Sequence, residues 1–211
     1  MRVLETPKGR FYVTPSNNKY VSITTMLGVK EKPWLEQWRE SLGQAKADTE
    51  TKRCAARGNA VHTMANKFLS NDVEPTKGQL LEHVGEFNSL KLVLKKIDNI
   101  YALEIPLYSD VLKVAGRVDC IAEWDGQLAV IDFKTSTNDK SSKMIEDYYL
   151  QAAGYALMFH EMYDIQINEV VIVITVEKGI VPLVFKRDVE SYIEPLIQRI
   201  NTYYTQAGVS K

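Results

Sequence analysis

The sequence contains too few cysteines for a fold stabilised by several disulfides or for a metal site with four cysteine ligands. Only Cys54 and Cys120 occur among the 211 residues. Two cysteines exclude a framework of several disulfides and a four-cysteine zinc or iron–sulfur site. Because unpaired thiols are typical of reducing compartments, we expect an intracellular protein.

The sequence also lacks long apolar runs and carries little net charge. Its longest apolar run, residues 170–176, is interrupted by Thr175 and is far shorter than a membrane span. Residues 1–13 contain no signal-peptide-like apolar stretch, so we expect neither export nor membrane association. The formal net charge is −1, so any contact with nucleic acid requires a local basic surface.

The remaining composition is that of an ordinary globular domain. Hydrophobic residues make up 45 % of the chain and charged residues 25 %. A chain of 211 residues can bury a substantial core. We predict a single domain over residues 1–211, with strands and helices in residues 1–98 and a core of strands and helices in residues 99–211.

Hydrophobic periodicity and turn residues predict the order of elements. Strands are predicted at residues 10–14, 19–23, 100–108, 113–124, 127–134, 169–176 and 180–185. Helices are predicted at residues 33–43, 44–70, 77–98, 144–163 and 188–204, with Thr24 or Thr25 capping a shorter one before Gly28 and Asp188 capping the last. This order indicates an α/β fold built on a core sheet.

One predicted hairpin concentrates charged residues. Asp125-Gly126 is a strong two-residue turn signal, because glycine tolerates the positive φ that such turns require. A turn there places Asp119 directly opposite Asp132, with Cβ atoms about 5 Å apart. Lys134 follows Asp132 by two residues and therefore points to the same face of the sheet.

The charges of this hairpin indicate a metal-dependent phosphodiesterase. The same register places Arg117 opposite Lys134, and directly opposed like charges are unfavourable unless something binds between them. Mg²⁺ suits the carboxylates and a phosphate suits the cations. Asp119 and Asp132 would hold one or two ions, with the Phe133 carbonyl as a further ligand. Lys134 would orient water or stabilise the transition state. Taken singly, each residue is more simply explained as part of the exposed charged face of an ordinary hairpin.

The Asp…Asp-Phe-Lys arrangement resembles the core of the PD-(D/E)xK nuclease superfamily. Three further motifs resemble those of its RecB-like branch: Arg57-Gly58-Asn-Ala-Val-His62, Glu104-Ile-Pro106 ahead of Gly116-Arg117-Val-Asp119, and Gln151-Ala-Ala-Gly-Tyr155. Residues 21–39 are similar to the N-terminal part of mitochondrial genome maintenance exonucleases and their phage relatives. The resemblance therefore covers most of residues 20–160. It implies a restriction-endonuclease-like core, a mixed central sheet flanked by helices, with a helical N-terminal elaboration.

The resemblance also implies roles for individual residues. The metal ligands would be His62, Asp119, Asp132 and Phe133, holding one or two Mg²⁺ or Mn²⁺ ions without an iron–sulfur cluster. The catalytic set would be Asp119, Asp132, Lys134 and Gln151. The DNA contacts would come from Arg57, Gln151, Tyr155, Arg53 and Lys32. Gly58 and His62 share a helix face, and the small glycine would let that helix approach the sheet.

The leading interpretation is a DNA exonuclease acting in replication, recombination or DNA degradation. Single strands or strand ends are the favoured substrate, and a recombination or single-strand-binding protein is a candidate partner. The expected compartment is the cytoplasm of a bacterium or of a phage-infected host.

Three alternatives stay open. A structure-specific or nicking endonuclease on the same core would cut circular DNA. A catalytically silent DNA-binding module would bind without cleaving, although the complete charged set argues against this alternative. A small-molecule phosphohydrolase would not bind DNA.

Overall fold

The computed structural model describes residues 1–29 and 33–207, which form one sheet with helices packed on both faces. The strands are β1 (Arg2–Thr6), β2 (Gly9–Val13), β3 (Lys19–Ser22), β4 (Ile97–Ser109), β5 (Val114–Trp124), β6 (Gln127–Ser136), β7 (Glu169–Val176) and β8 (Leu183–Asp188). The helices are α1 (Ile23–Gly28), α2 (Pro33–Leu42), α3 (Gln44–Leu69), α4 (Leu81–Leu94), α5 (Glu146–Tyr163) and α6 (Glu190–Gln206). A 3₁₀ turn over Ser142–Ile145 precedes α5.

The sheet is mixed, as predicted. Its strand order is β1-β2-β3-β5-β6-β7-β8, and β4 pairs with β5 outside this path. The pairs β3–β5 and β6–β7 are parallel, and the other neighbouring pairs are antiparallel. The expected mixed α/β architecture is therefore confirmed, and the first three strands join the same sheet as the core.

The sheet opens in the middle of β5. Strand β4 pairs along one edge of β5, from Ser109–Val114 to Ile97–Trp124. Strands β3 and β6 therefore share the other edge, where β3 pairs with Val114 and Ala115 and β6 pairs with residues 120–124. Residues 116–119 lie between these two pairings and have no ladder partner on that edge among the described residues.

Both faces of the sheet are covered, and each carries its own apolar core. Helices α1, α5 and α6 pack on one face, where they contact Ile121, Val130 and Ile172. Helices α3 and α4 pack on the other face, against Cys120 and Ile131 and their neighbours. A strand buried on both faces is continuously apolar rather than alternating, which explains the run of residues in β7.

Several element boundaries differ from the prediction. Helix α4 begins at Leu81 and ends at Leu94, because Ile97 pairs with Trp124 as the first residue of β4. Strand β8 begins three residues later than predicted, and Ile180 is exposed in the preceding turn.

Two predicted helix caps are wrong. Ser22, not Thr24 or Thr25, caps α1, because its Oγ accepts a hydrogen bond from the Thr25 N–H at 3.0 Å. Asp188 does not cap α6, because it pairs with Glu169 in the sheet and the cap position falls on Val189. Among the described residues, no helix combines the length and the apolar character needed to cross a bilayer.

Two glycines inside helices give a matched test of the packing between α1 and α5. A Cβ at Gly154 would lie 2.1 Å from Cδ1 of the fully buried Ile23, whereas a Cβ at Gly85 would meet no heavy atom within 4 Å. We expect Gly154→Ala to lower the free energy of unfolding by about 1–3 kcal/mol through overpacking. Gly85→Ala should raise it by about 0.5–1 kcal/mol through helix propensity. Urea denaturation measures both, and equal changes would contradict the close approach of the two helices.

Candidate active site

The opening in the sheet leads into a cleft of about 880 Å³. One wall is α3, which contributes His62, and another is the β4–β5 pair, which contributes Glu104 and Asp119. Strand β6 adds Lys134, and α5 adds Gln151 from the opposite face of the sheet. Residues that are distant in sequence and lie on both faces of the sheet therefore meet in this cleft.

Helix α3 presents a polar stripe to the cleft. Gly58, His62 and Asn66 lie on this stripe at successive turns. The His62 Nδ1 atom lies 3.5 Å from Asp119 Oδ2, and the Phe133 ring stands edge-on to the imidazole with centroids 6.4 Å apart. A Cβ at Gly58 would lie 3.4 Å from Thr135 Oγ1, an ordinary contact, so the approach of α3 does not depend on that glycine.

The predicted register of the β5–β6 hairpin is confirmed near the turn, but the ladder ends before it reaches Asp119 and Asp132. Strands β5 and β6 pair from Trp124–Gln127 to Cys120–Ile131, as the turn predicts. At the next position the Asp119 side chain enters the gap, and its Oδ2 accepts a hydrogen bond from the Phe133 N–H at 2.9 Å. Asp119 is therefore not the ladder partner of Asp132, because its carboxylate has replaced the backbone acceptor and the strands separate.

The predicted opposition of Arg117 and Lys134 is also wrong. Arg117 pairs with Pro106 of β4 and not with β6. Its Nη1 atom lies 4.0 Å from Glu104 Oε2. The charge that faces Arg117 is therefore acidic, and it comes from the strand on the other edge of β5.

Glu104 is the site residue to which the sequence analysis assigned no role. It occupies the position facing Asp119, between the pairs Leu103–Cys120 and Ile105–Val118, and its φ is +51°. Ligand atoms of His62, Glu104 and Asp119 all lie within 4.8 Å of one another. The sequence placed Glu104 only within the Glu104-Ile-Pro106 motif, because the connection between β4 and β5, residues 110–113, contains no strong turn signal that would fix its register against Asp119.

Asp132 and Lys134 share one face of β6, as predicted. Asp132 is 1 % exposed, and its Oδ2 forms an ion pair with the Lys134 ammonium. Neither Asp132 oxygen has a hydrogen bond of good geometry within the described chain. The Lys134 Nζ atom also lies over the Tyr148 ring, 5.2 Å from its centroid. A buried carboxylate with unused lone pairs is a suitable ligand for a hard cation.

Burial and mutual repulsion control the titration of the acidic groups. Burial raises the pKa of Asp132 to about 6, with a further contribution from Asp119 and opposition from Lys134. Burial also raises the pKa of Glu104, and Asp119 adds to this effect. For Asp119, burial is outweighed by His62 and Lys134, so its pKa is lowered. Burial by itself lowers the pKa of His62, but Asp119 reverses this and the net shift is upward.

The site holds three carboxyl groups against one lysine and one histidine, and all of these groups are poorly solvated. A divalent cation would relieve that excess, and oxygen ligands with one imidazole suit Mg²⁺ or Mn²⁺. The residues therefore fit such an ion. The predicted ligands His62 and Asp119 are brought together, with Asp132 and Phe133 on the adjoining strand.

Gln151 and Tyr155 both line the cleft, one turn apart on α5. The Gln151 Nε2 donates a hydrogen bond to the Tyr155 hydroxyl at 3.1 Å. Tyr155 is 2 % exposed, and its ring fills the space where a Cβ at Gly116 would lie 2.6 Å from Cε1. Gln151 therefore faces the cleft, and the buried Tyr155 holds its amide.

The predicted basic contacts are not brought to the cleft. Arg57 is buried, with Nη1 2.5 Å from Glu177 Oε2, and Arg53 Nη1 lies 2.8 Å from the other oxygen of the same carboxylate. Lys32 lies outside the described residues. Among the described residues, the cations that line the cleft besides Lys134 are Arg10, Lys67 and Arg117. The sequence pointed to Arg117 through the hairpin, but it did not single out Arg10 or Lys67 because they come from separate elements.

The sequence is similar to one family model and to several curated proteins. The family model of the PD-(D/E)XK nuclease superfamily matches residues 82–181. Mitochondrial genome maintenance exonuclease 1 of Mus musculus is 30 % identical over 175 residues, covering 77 % of this chain and 51 % of the relative. The Homo sapiens protein of that name is 28 % identical over 155 residues, covering 69 % and 44 %. The chain thus spans about half the length of these relatives.

A crystal structure from Eubacterium rectale superposes with a TM-score of 0.49 at 7 % identity, covering 74 % of this chain and 69 % of that one.

The stretch matched by the family model carries Asp119, Asp132, Lys134 and Gln151. In the fold these residues lie on two adjacent strands and the following helix, around a site suited to a divalent cation. The sequence matches and the arrangement of these residues together support the PD-(D/E)XK nuclease superfamily as the family of this chain.

Proposed function

We propose that this chain is a metal-dependent DNA exonuclease of the RecB-like branch, acting as one nuclease domain on strand ends. The observation that carries the proposal is the meeting of His62, Glu104 and Asp119 beside the buried Asp132–Lys134 pair in an open cleft. The exonuclease relatives support the same reading. The setting we assign is replication, recombination or DNA degradation, in a bacterium or its phage, with a recombination or single-strand-binding protein as the partner to test.

The acidic residues would hold the metal. His62, Asp119, Asp132 and the Phe133 carbonyl are the proposed ligands of one or two Mg²⁺ or Mn²⁺ ions, and Glu104 joins them because it faces Asp119. When bound, such an ion supplies Lewis-acid stabilisation of the phosphate and acidifies water. The chain's own contribution is to keep these carboxylates together in a poorly solvated place, where their charge acts strongly.

Lys134 and Gln151 would act on the reacting groups. The Lys134 ammonium is held between the Asp132 carboxylate and the Tyr148 ring, so it is oriented before the substrate arrives. There it can orient water or stabilise the negative charge that develops on the phosphate. Tyr155 orients the Gln151 amide towards the cleft, and we assign this amide to the phosphate of the bound strand.

The surroundings of the site favour a single strand as substrate. The cations Lys67 and Arg117 suit backbone phosphates, whereas Arg10 lines the same cleft but is paired with Glu5 at 2.6 Å. A second groove meets the cleft at Thr135 and is lined by aromatic and basic residues from α2, α3, the segment after β6 and α5, including Trp38, Lys46, Lys140 and Tyr148. Aromatic faces beside a basic groove stack unpaired bases without sequence preference.

Cleavage of end-labelled DNA tests the proposal directly. We expect wild-type protein with Mg²⁺ or Mn²⁺ to degrade linear single strands and to spare circles, with no reaction in EDTA. Asp132→Asn should abolish cleavage, because the substitution keeps the shape but removes a proposed ligand charge. Asp188→Asn, an exposed change on β8, is the matched control and should cleave like wild type.

Other results of this assay would replace the proposal. Cutting of circular DNA would indicate an endonuclease on the same core. Binding without cleavage under either metal would indicate a silent binding module. Phosphatase activity without DNA binding would indicate a small-molecule phosphohydrolase.

The role of Glu104 is tested by metal affinity. Glu104→Gln removes one ligand charge of three, and we expect the affinity for Mn²⁺ to fall about 10–100-fold. Glu123→Gln on β5 is the control, since Glu123 accepts a hydrogen bond from Asn99 and does not line the cleft. Isothermal titration calorimetry measures both variants. Wild-type affinity in Glu104→Gln would remove Glu104 from the ligand set.

The path of the strand is tested by the salt dependence of binding. In the Asp132→Asn background, Lys67→Gln should reduce the slope of log K against log salt by about 0.7, the value for one lost phosphate contact on a single strand. Arg53→Gln should leave the slope unchanged, because Arg53 is paired with Glu50 and Glu177. If Arg53→Gln reduced the slope and Lys67→Gln did not, the phosphates would lie near Arg53 rather than near Lys67.

A further inference from the structure

A buried ionic network lies behind the cleft, on the side of α3 turned away from His62. Its centre is Arg57, which is 4 % exposed. Arg57 precedes His62 by five residues, so the two side chains leave the helix about 140° apart. A residue placed there contacts the body of the protein and not the cleft.

The network links four elements of the fold. Arg57 Nη1 lies 2.5 Å from Glu177 Oε2 at the end of β7, and Arg57 Nε lies 3.5 Å from Glu86 Oε2 on α4. Glu86 Oε1 accepts a hydrogen bond from Thr175 Oγ1 at 2.6 Å. The same hydroxyl lies 3.4 Å from the carbonyl oxygen of Lys134 on β6. The helix that carries His62 is thus connected through buried polar groups to the strand that carries Asp132 and Lys134.

This connection is stiff for a physical reason. Arg57 Nη1 donates a hydrogen bond to Glu177, whereas Glu86 faces Nε at 3.5 Å as an ion pair without a hydrogen bond. Because the guanidinium is a rigid plane, these two carboxylates on different elements together define its orientation. Glu86 and Thr175 are buried as well, and a buried charge that loses its partner has no water to replace it. The rotation of α3 about its own axis is therefore constrained, and with it the direction of His62.

We propose that Arg57 is a positioning residue for the nuclease site, holding α3 at the rotation that aims His62 at Asp119. The inference rests on the proposed function and replaces the phosphate contact expected from the sequence. Arg57 acts through Glu86, Glu177 and Thr175. It also lines the second groove, but it is only 4 % exposed and its charge is paired with Glu177, so we assign it no phosphate contact there.

The test compares two arginines of α3. Arg57→Lys keeps the charge and loses the fork. Arg53→Lys is the matched control, because Arg53 contacts the same Glu177 but is 39 % exposed and pairs with Glu50 rather than Glu86. We expect Arg57→Lys to lower the Mn²⁺ affinity, measured by calorimetry, and kcat at saturating DNA, each about 10–100-fold. Its Kd for single-stranded DNA in EDTA should stay within about twofold, and Arg53→Lys should match wild type in all three.

Two results would overturn the proposal. Wild-type Mn²⁺ affinity in folded Arg57→Lys would mean that the network does not position the metal ligands. A weaker Kd for DNA with a reduced salt slope and unchanged Mn²⁺ affinity would mean that Arg57 contacts phosphate. The calorimetric result does not require cleavage, so a wild-type protein that binds Mn²⁺ but leaves DNA intact would contradict the proposed function alone.

A second pair of variants covers the case in which Arg57→Lys fails to fold. Thr175→Val keeps the volume and removes the hydroxyl that joins Glu86 to β6, whereas Thr175→Ser keeps the hydroxyl. We expect Thr175→Val to lower the Mn²⁺ affinity and Thr175→Ser to stay near wild type. Equal affinities in the two variants would contradict the network's role.

Discussion

Three carboxylates withdrawn from water beside a single lysine are the constraint on which this structure depends. Asp132 is almost fully buried, its pKa is raised to about 6 by that burial, and Asp119 and Glu104 add to the repulsion. Such a cluster is unfavourable unless a rigid scaffold holds it. Here β4 holds β5 along its other edge and β7 holds β6 along its other edge. The hydrogen bond from the Phe133 N–H to Asp119 joins the two strands where their own ladder has ended.

The opening of the sheet explains how the site is assembled. Helices α3 and α5 lie on opposite faces, and in an unbroken sheet their side chains could not meet. Because Asp119 supplies the acceptor for the Phe133 N–H, β5 and β6 separate, and His62 and Gln151 reach one cleft from the two sides. The ionic network around Arg57 connects α3 to the strands, and the packing of the Tyr155 ring against Gly116 connects α5 to them.

Much of the fold and part of the site follow from local sequence. The turn at Asp125-Gly126, the register that follows from it, the shared face of Asp132 and Lys134 and most helices are set by interactions within one or two elements. The predicted register is wrong at Asp119, because its side chain rather than a backbone carbonyl accepts the hydrogen bond from the Phe133 N–H. Arg53 and Arg57 were expected at the DNA because cations beside a ligand histidine suggest phosphate, but their partners lie far along the chain.

The sequence by itself determined the α/β class, the hairpin with its acidic residues and lysine, and the helical spacing of the histidine and glutamine motifs, because these depend on periodicity and turn chemistry over short distances. Only the tertiary structure decided that Glu104 joins His62 and Asp119, that the cleft is lined by Arg10, Lys67 and Arg117, and that Arg57 turns inward. The physical reason is that each of these depends on how separate elements are rotated and packed against each other, which local sequence does not specify.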